Sequence, residues 1–375
     1  MNLDYPETEH IEMSGGIHFN EGSVIDQIIQ LVNSDTVFSD IFIHEDSPLM
    51  IKQPKALVAV SSNVVLREEM EMFFDTLDAD WRGKIGRRAV DRAVDLSTSR
   101  IRANFFTYAG RRKYGAVIRR FPSEPLSLDT IGLRDNSKAF AKLSKGLVLV
   151  VGDTGQGKST TIASMLNRIN QDRAVHILTI EDPVETIITQ MRSIVTQREV
   201  GPDGDVESFY AGTLDALRER PDVVLIGEVR EADVARETVA LSESGPLVFA
   251  TMHARSIELA LSKLFRLLGG TDTAAQAIAQ SLKGVVCQAL LPSTGGDCYH
   301  LATECLTVNA DVAKLIESRN FSGIRSYMDT SGNPECHTMN GDLMSLYSAN
   351  KVSFEDAQRA TTDRLKFDAS FKRRA

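Results

Sequence analysis

The chain has 375 residues, 42% of them hydrophobic and 25% charged, with a formal net charge of −9. That length holds two or three domains, each able to bury its own core. The acidic balance argues against a general nucleic-acid binder, no apolar run is long enough to cross a bilayer, and the acidic start MNLDYPETEHIEM lacks the apolar core of a secretory signal. A cytoplasmic protein is expected, with docking on a membrane machine left open. Cys287, Cys298, Cys305 and Cys336 form no C-x-x-C pair. The spacing of Cys298, His300, Cys305, Cys336 and His337 fits no common zinc module, so buried free thiols are expected.

Residues 1–20 read as a tail. Ser23 with Asp26 has the form of a capping box, and Ile25, Ile28, Ile29 and Val32 then follow at helical spacing. Asp40–His44 alternates as a strand, with His44 expected at the surface or hydrogen-bonded. Leu66–Leu77 is a second amphipathic helix. Ile101–Tyr108 and Tyr114–Phe121 read as a hairpin joined across residues 109–113. Residues 21–121 therefore form a smaller α+β domain, and Pro122-Ser-Glu-Pro125 opens a linker over 122–145.

The hairpin is the basic part of an acidic chain, carrying Arg100, Arg102, Arg111, Arg112, Lys113, Arg119 and Arg120. Three accounts are open: a solvated strand edge, arginines aimed at a triphosphate, or a nucleic-acid patch. The last is weakened by the lack of interleaved aromatic residues.

Residues 146–375 form the larger domain, organised around Gly146–Ile162, GLVLVVGDTGQGKSTTI. The β-branched run Leu147–Val151 is a buried strand, and Thr160-Thr161-Ile162 opens a helix. Between them lies Gly152-x-x-x-x-Gly157-Lys158-Ser159, the phosphate-loop pattern in its strand–loop–helix setting. Glycines let N–H groups turn inward around phosphate oxygens, and the helix N-terminus adds its dipole. The nucleotide-binding set is Gly152, Thr154, Gly155, Gln156, Gly157, Lys158, Ser159 and Thr160. Lys158 would reach the β- and γ-phosphates of ATP, and Ser159 would hold Mg²⁺.

Strands and helices then alternate, which predicts a mostly parallel sheet. His176–Glu181 ends near Glu185, Val223–Ile226 ends at Gly227-Glu228, and Leu247–Thr251 ends at Met252-His253. Glu185, Glu228 and His253 thus share the carboxyl edge of the sheet with the phosphate loop, where open α/β sheets bind ligands. Together they read as a hydrolysis site.

Gly152–Thr161, ILTIEDPVE (177–185), QREVG (197–201), LRE (217–219), PDV (221–223), GEVR (227–230) and TMH (251–253) resemble the secretion-superfamily ATPases of the type II/IV class. The resemblance is strongest to pilus-retraction ATPases and to those of type IVB secretion and conjugative transfer. It covers nearly the whole chain after residue 20, including Thr338-Met339-Asn340 and the stretch 353–357 near its end. It implies a RecA-like P-loop domain preceded by a PAS-like domain, assembled as a homo-hexamer. It further implies ATP and Mg²⁺ as ligands and inner-membrane platform proteins of a secretion, conjugation or pilus machine as partners, with no direct nucleic-acid binding.

The resemblance also carries roles. Glu185 matches the family's catalytic carboxylate, Glu228 the carboxylate beside Mg²⁺ through water, and His253 the histidine-box residue. Arg102 and Arg119 match its arginine fingers. The chain departs from the family at Gly245-Pro246 and at Arg220, neither a phosphate ligand, and lacks a tetracysteine insertion. A P-loop nucleic-acid translocase and a small-molecule kinase remain alternatives.

Overall fold

The computed structural model describes residues 22–86, 88–96, 99–202 and 204–372; the expected tail over residues 1–20 lies outside them. The chain divides into two units, between Phe121 and Pro122.

The first unit carries strands β1 (Asp40–His44), β2 (Pro48–Lys52), β3 (Leu57–Val64), β4 (Val90–Asp95), β5 (Ser99–Tyr108) and β6 (Lys113–Pro122) in the sheet order β3-β2-β1-β6-β5-β4. The helix Val24–Val32 begins with the capping box of Ser23 and Asp26, and its buried Val24, Ile28, Leu31 and Val32 share one core with the sheet. The helix Arg67–Leu77 adds Met70, Phe73 and Phe74. Alternating Ile41, Ile43, Leu49 and Ile51 come from β1 and β2, as strand period two requires. Phe74 stacks on Phe105 at 4.5 Å between ring centres and meets Trp81 edge-on at 5.1 Å. His44 packs edge-on against Tyr108 and Phe106, so its ring is held by aromatic neighbours.

The second unit is built on β7 (Gly146–Val151), β8 (His176–Glu181), β9 (Ile194–Glu199), β10 (Val223–Ile226), β11 (Leu247–Met252), β12 (Leu282–Pro292) and β13 (Tyr299–Thr307). Their order is β13-β12-β7-β11-β10-β8-β9, all parallel except β13, which runs antiparallel to β12. β7 and β10 are buried at every position because helices cover both faces. Leu147, Leu149 and Val151 face the core made with the helices Ala232–Glu243, Ile257–Leu267 and Asp272–Ser281. Val148 and Val150 face the other, made with Ile162, Met165, Leu166 and Ile169 of the helix Lys158–Asp172.

Residues 122–145 differ from the expectation of a linker. They belong to the second unit and bury Leu128, Leu133, Phe140 and Ala141 in its core. An ideal Cβ on Gly284 would run into the Phe140 ring, so β12 carries glycine where that ring lies against it. Farther along, Arg134 pairs with buried Asp342 at 2.5 Å, and the His337 ring stands 2.9 Å from Asn136 and 2.8 Å from Thr303. These polar contacts join the segment to β13 and to the helix Met339–Ser348.

Cys287, Cys298, Cys305 and Cys336 are all free. Cys298 Sγ lies 3.9 Å from His300 Nε2, while Cys305 pairs through its backbone with His337. Among the described residues no group of three or more His, Cys, Asp or Glu is arranged to hold a metal ion. Burial pushes the Cys305 thiol up to about 12.

Candidate active site

Register sets the site. Ile180 pairs with Ile226, Ile226 with Ala250, and Met252 with Val151, so the carboxyl ends of β8, β10, β11 and β7 are successive points on one edge. From those ends emerge the Glu185 loop, Glu228, His253 and the phosphate loop.

The loop itself is shaped by three glycines. Gly155 and Gly157 have φ of 76° and 77°, in the region where a side chain is strained. Gly152 is needed for closeness instead: a Cβ there would stand 2.7 Å from the Gln288 carbonyl. β12 supports the loop further, since Gln288 Nε2 donates to the Gln156 carbonyl and the Leu290 N–H donates to Gln156 Oε1, both at 2.6 Å. Among the described residues, the N–H groups of Thr154, Gly155, Gln156 and Gly157 donate to no protein acceptor. They lead into the N-terminus of the helix Lys158–Asp172, whose first turn holds Ser159 and Thr160.

Lys158 Nζ donates to the carbonyls of Gly152 and Asp153, both at 2.9 Å. Burial lowers its pKa below the ordinary lysine value, opposed by the nearby carboxylates of Glu228, Asp153 and Glu185. One ammonium therefore lies in the field of all three. Unpaired loop donors, a helix N-terminus and a lysine make a set that suits a polyphosphate.

Glu228 Oε1 is buried, with His253 Nε2 3.1 Å and Arg230 Nε 3.3 Å away. Neither nitrogen is aligned as a hydrogen bond to it, so this oxygen keeps lone pairs that an ion or its water can use. With the Ser159 hydroxyl, that donor chemistry fits Mg²⁺, a hard cation that prefers oxygen. The neighbouring backbone is fixed: the Gly227 N–H donates to the Ile180 carbonyl at 2.8 Å, and Thr251 Oγ1 donates to the Gly227 carbonyl.

Glu185 lies between inward-facing Val184 and Thr186, in a loop whose Asp182–Pro183 bond is cis. A small crevice there is lined by Ser159, Glu181, Glu185, Thr186 and Gln197 among others. Burial pushes the Glu181 carboxyl up to about 7, against hydrogen bonds from Thr179 and Gln197.

Four of the basic hairpin residues have the following partners in their own unit. Arg102 makes a forked pair with Asp91, with contacts of 2.6, 3.0 and 3.1 Å. Arg119 pairs with Asp40 at 2.8 Å, and Lys113 with Asp46 at 2.9 Å. Arg120 is a structural residue. It donates to the carbonyls of Val32, Ser34 and Thr36, and its guanidinium lies over the Phe38 ring.

Sequence reasoning missed three supports of the site. Gln288 is a polar residue inside the apolar run of β12, and that interruption was the available signal. Arg255 donates to the Asp153 carboxylate at 2.9 Å, and Arg230 approaches Glu228 from two residues along; spacing alone distinguishes neither from a solvated arginine.

This fold and this edge define an open, mostly parallel α/β protein with polar groups gathered at the carboxyl ends of its strands. A model of the type II/IV secretion system protein family matches residues 48–370, and the chain belongs to that family. It is 32% identical over 314 residues to the type IV pilus retraction ATPase PilT of Pseudomonas aeruginosa, covering 83% of this chain and 86% of that one. It is also 35% identical over 250 residues to the type IV pilus ATPase PilU of the same organism, covering 66% and 65%. The crystal structure of the pilus retraction motor PilT with bound ADP superposes with a TM-score of 0.79 at 30% identity, over 93% of this chain and 100% of that one. The ATPase DotB of Legionella pneumophila shares the fold, with a TM-score of 0.78 at 20% identity, over 92% of this chain and 97% of that one. The described residues contain no helix long and apolar enough to cross a membrane.

Proposed function

We propose that this chain is a Mg²⁺-dependent ATP hydrolase that works as a homo-hexameric motor. In this reading a PAS-like unit precedes a RecA-like unit. The ring sits in the cytoplasm, docked on inner-membrane components of a conjugative, type IVB secretion or pilus-retraction machine. The observation that carries the reading is that the loop bearing Lys158, the Glu185 loop, Glu228 and His253 all emerge at the carboxyl ends of four neighbouring parallel strands. Its likeness to PilT, whose structure holds ADP, supports a nucleotide as the ligand.

Hydrolysis here is a matter of positioning and charge. Lys158 exchanges the carbonyls of Gly152 and Asp153 for β- and γ-phosphate oxygens, and the loop N–H groups take the remaining lone pairs. Mg²⁺, when bound, neutralises charge on those oxygens. Ser159 and Glu228 would hold it, the latter through water. Glu185 orients the attacking water and accepts its proton, and His253 senses the γ-phosphate through Glu228. Arg102 and Arg119 serve as fingers only if each gives up its carboxylate partner.

Native mass spectrometry with a nonhydrolysable ATP analogue tests the assembly. The motor reading expects six chains with bound nucleotide. A persistent monomer would remove the ring and favour a kinase, while hydrolysis stimulated by DNA and weakened by salt would favour a translocase.

A further inference from the structure

β9 lies at the outer end of the sheet, beside the loop that carries Glu185. Its residues alternate faces. Arg198 points one way, pairing with Glu219 and Asp215 on the helix Phe209–Glu219. Gln197 and Glu199 point the other way, toward the loop.

There the Gln197 carboxamide makes three contacts. Its Nε2 donates to the Thr186 carbonyl at 3.0 Å and to Glu181 Oε1 at 3.2 Å, and its Oε1 accepts the Ile188 N–H at 2.8 Å. Two residues on, Glu199 Oε2 accepts the Val184 N–H at 3.2 Å. Val184, Thr186 and Ile188 are each buried, so the main chain on both sides of Glu185 is fastened while Glu185 itself stays accessible. We infer that Gln197 and Glu199 are positioning residues that set where Glu185 stands relative to bound nucleotide, without touching the nucleotide themselves.

The inference rests on Glu185 being the group that activates water. A displacement of about 1 Å in a catalytic group costs on the order of 10²-fold in rate. Loosening the loop should therefore act on turnover and spare binding, because Lys158 and the phosphate loop are held by β7 and β12. Gln197→Leu removes all three contacts, and Glu199→Ala removes the fourth. Glu199→Gln keeps an acceptor for the Val184 N–H.

The test measures kcat, KM for ATP and melting temperature for the full-length chain and these three variants. The expected result is a kcat lower by ~10- to 10²-fold in Gln197→Leu and Glu199→Ala. KM should stay within about twofold, and Glu199→Gln should recover most of the rate. Folded Gln197→Leu and Glu199→Ala enzymes with wild-type kcat would overturn the inference, as would a loss seen only in KM. If Gln197→Leu fails to fold, the Glu199 pair decides alone. A wild-type chain that binds ATP but releases no phosphate would instead overturn the proposed activity, which separates the two failures.

Discussion

His253 Nε2 stands 3.1 Å from Glu228 Oε1, and the two residues follow the ends of neighbouring parallel strands, β11 and β10. Neither position would matter to the other without that pairing of strands. Glu228→Gln and His253→Ala are each expected to lower ATP turnover by ~10- to 10²-fold. The double variant should cost less than the product of the two, because a shared contact is lost only once. Turnover of the four proteins in one double-mutant cycle checks this; strict additivity would mean the residues act independently.

Lys158 belongs to the phosphate loop and lies in the field of the carboxylates of Glu228, Asp153 and Glu185. Lys158→Ala should reduce turnover by ~10²-fold or more, since a charge aimed at the transferring phosphoryl group is removed. Nucleotide affinity, followed with a fluorescent ATP analogue, should fall as well. Chelating Mg²⁺ should stop hydrolysis by the unaltered chain, and restoring it should bring activity back.

Two partly buried groups predict opposite pH trends in stability. Glu181 titrates near 4.5 when unfolded and near 7 when folded, so the native state holds the extra proton between those values. Its contribution to stability therefore declines as pH rises through that window, and Glu181→Gln should flatten the decline. His337 is pushed by burial, with Arg134 adding, from 6.5 down to about 4. The unfolded chain then binds the extra proton, so stability declines as pH falls through 6.5 toward 4, and His337→Gln should lessen that loss. Denaturant midpoints from pH 4 to 8 measure both slopes.

The contact between Phe140 and Gly284 tests whether residues 122–145 belong to the core. Phe140→Ala should destabilise the second unit by ~3–5 kcal/mol, and Gly284→Ala by ~1–3 kcal/mol through overpacking. Thermal melts of both variants check this, and unchanged melting in both would return the segment to the status of a tether.

Much of this architecture was legible from local signals. The glycine-rich loop before the helix Lys158–Asp172, the three apolar strands that lead toward Glu185, Glu228 and His253, and the capped first helix are each specified by residues adjacent in sequence. What was not legible depends on strand order. β12 is beside β7 although more than a hundred residues separate them, so the polar interruption at Gln288 does not point to Gln156 as its partner. The burial within residues 122–145 was hidden for a related reason. Prolines stand where the two units divide, but Leu128, Leu133 and Phe140 are too sparse for periodicity to reveal their burial. Arg102 and Arg119, proposed as fingers, fall between these cases: their positions follow from the hairpin, yet the carboxylates of Asp91 and Asp40 that hold them come from other strands.

The central claim is that Glu185 activates water for attack on a triphosphate held by Lys158. Phosphate release from ATP by purified Glu185→Gln beside the unaltered chain, with nucleotide binding measured on the same samples, tests it most directly. The account predicts that the variant binds ATP as tightly as the parent and releases phosphate ~10²-fold more slowly or worse. Turnover at the parental rate would contradict it.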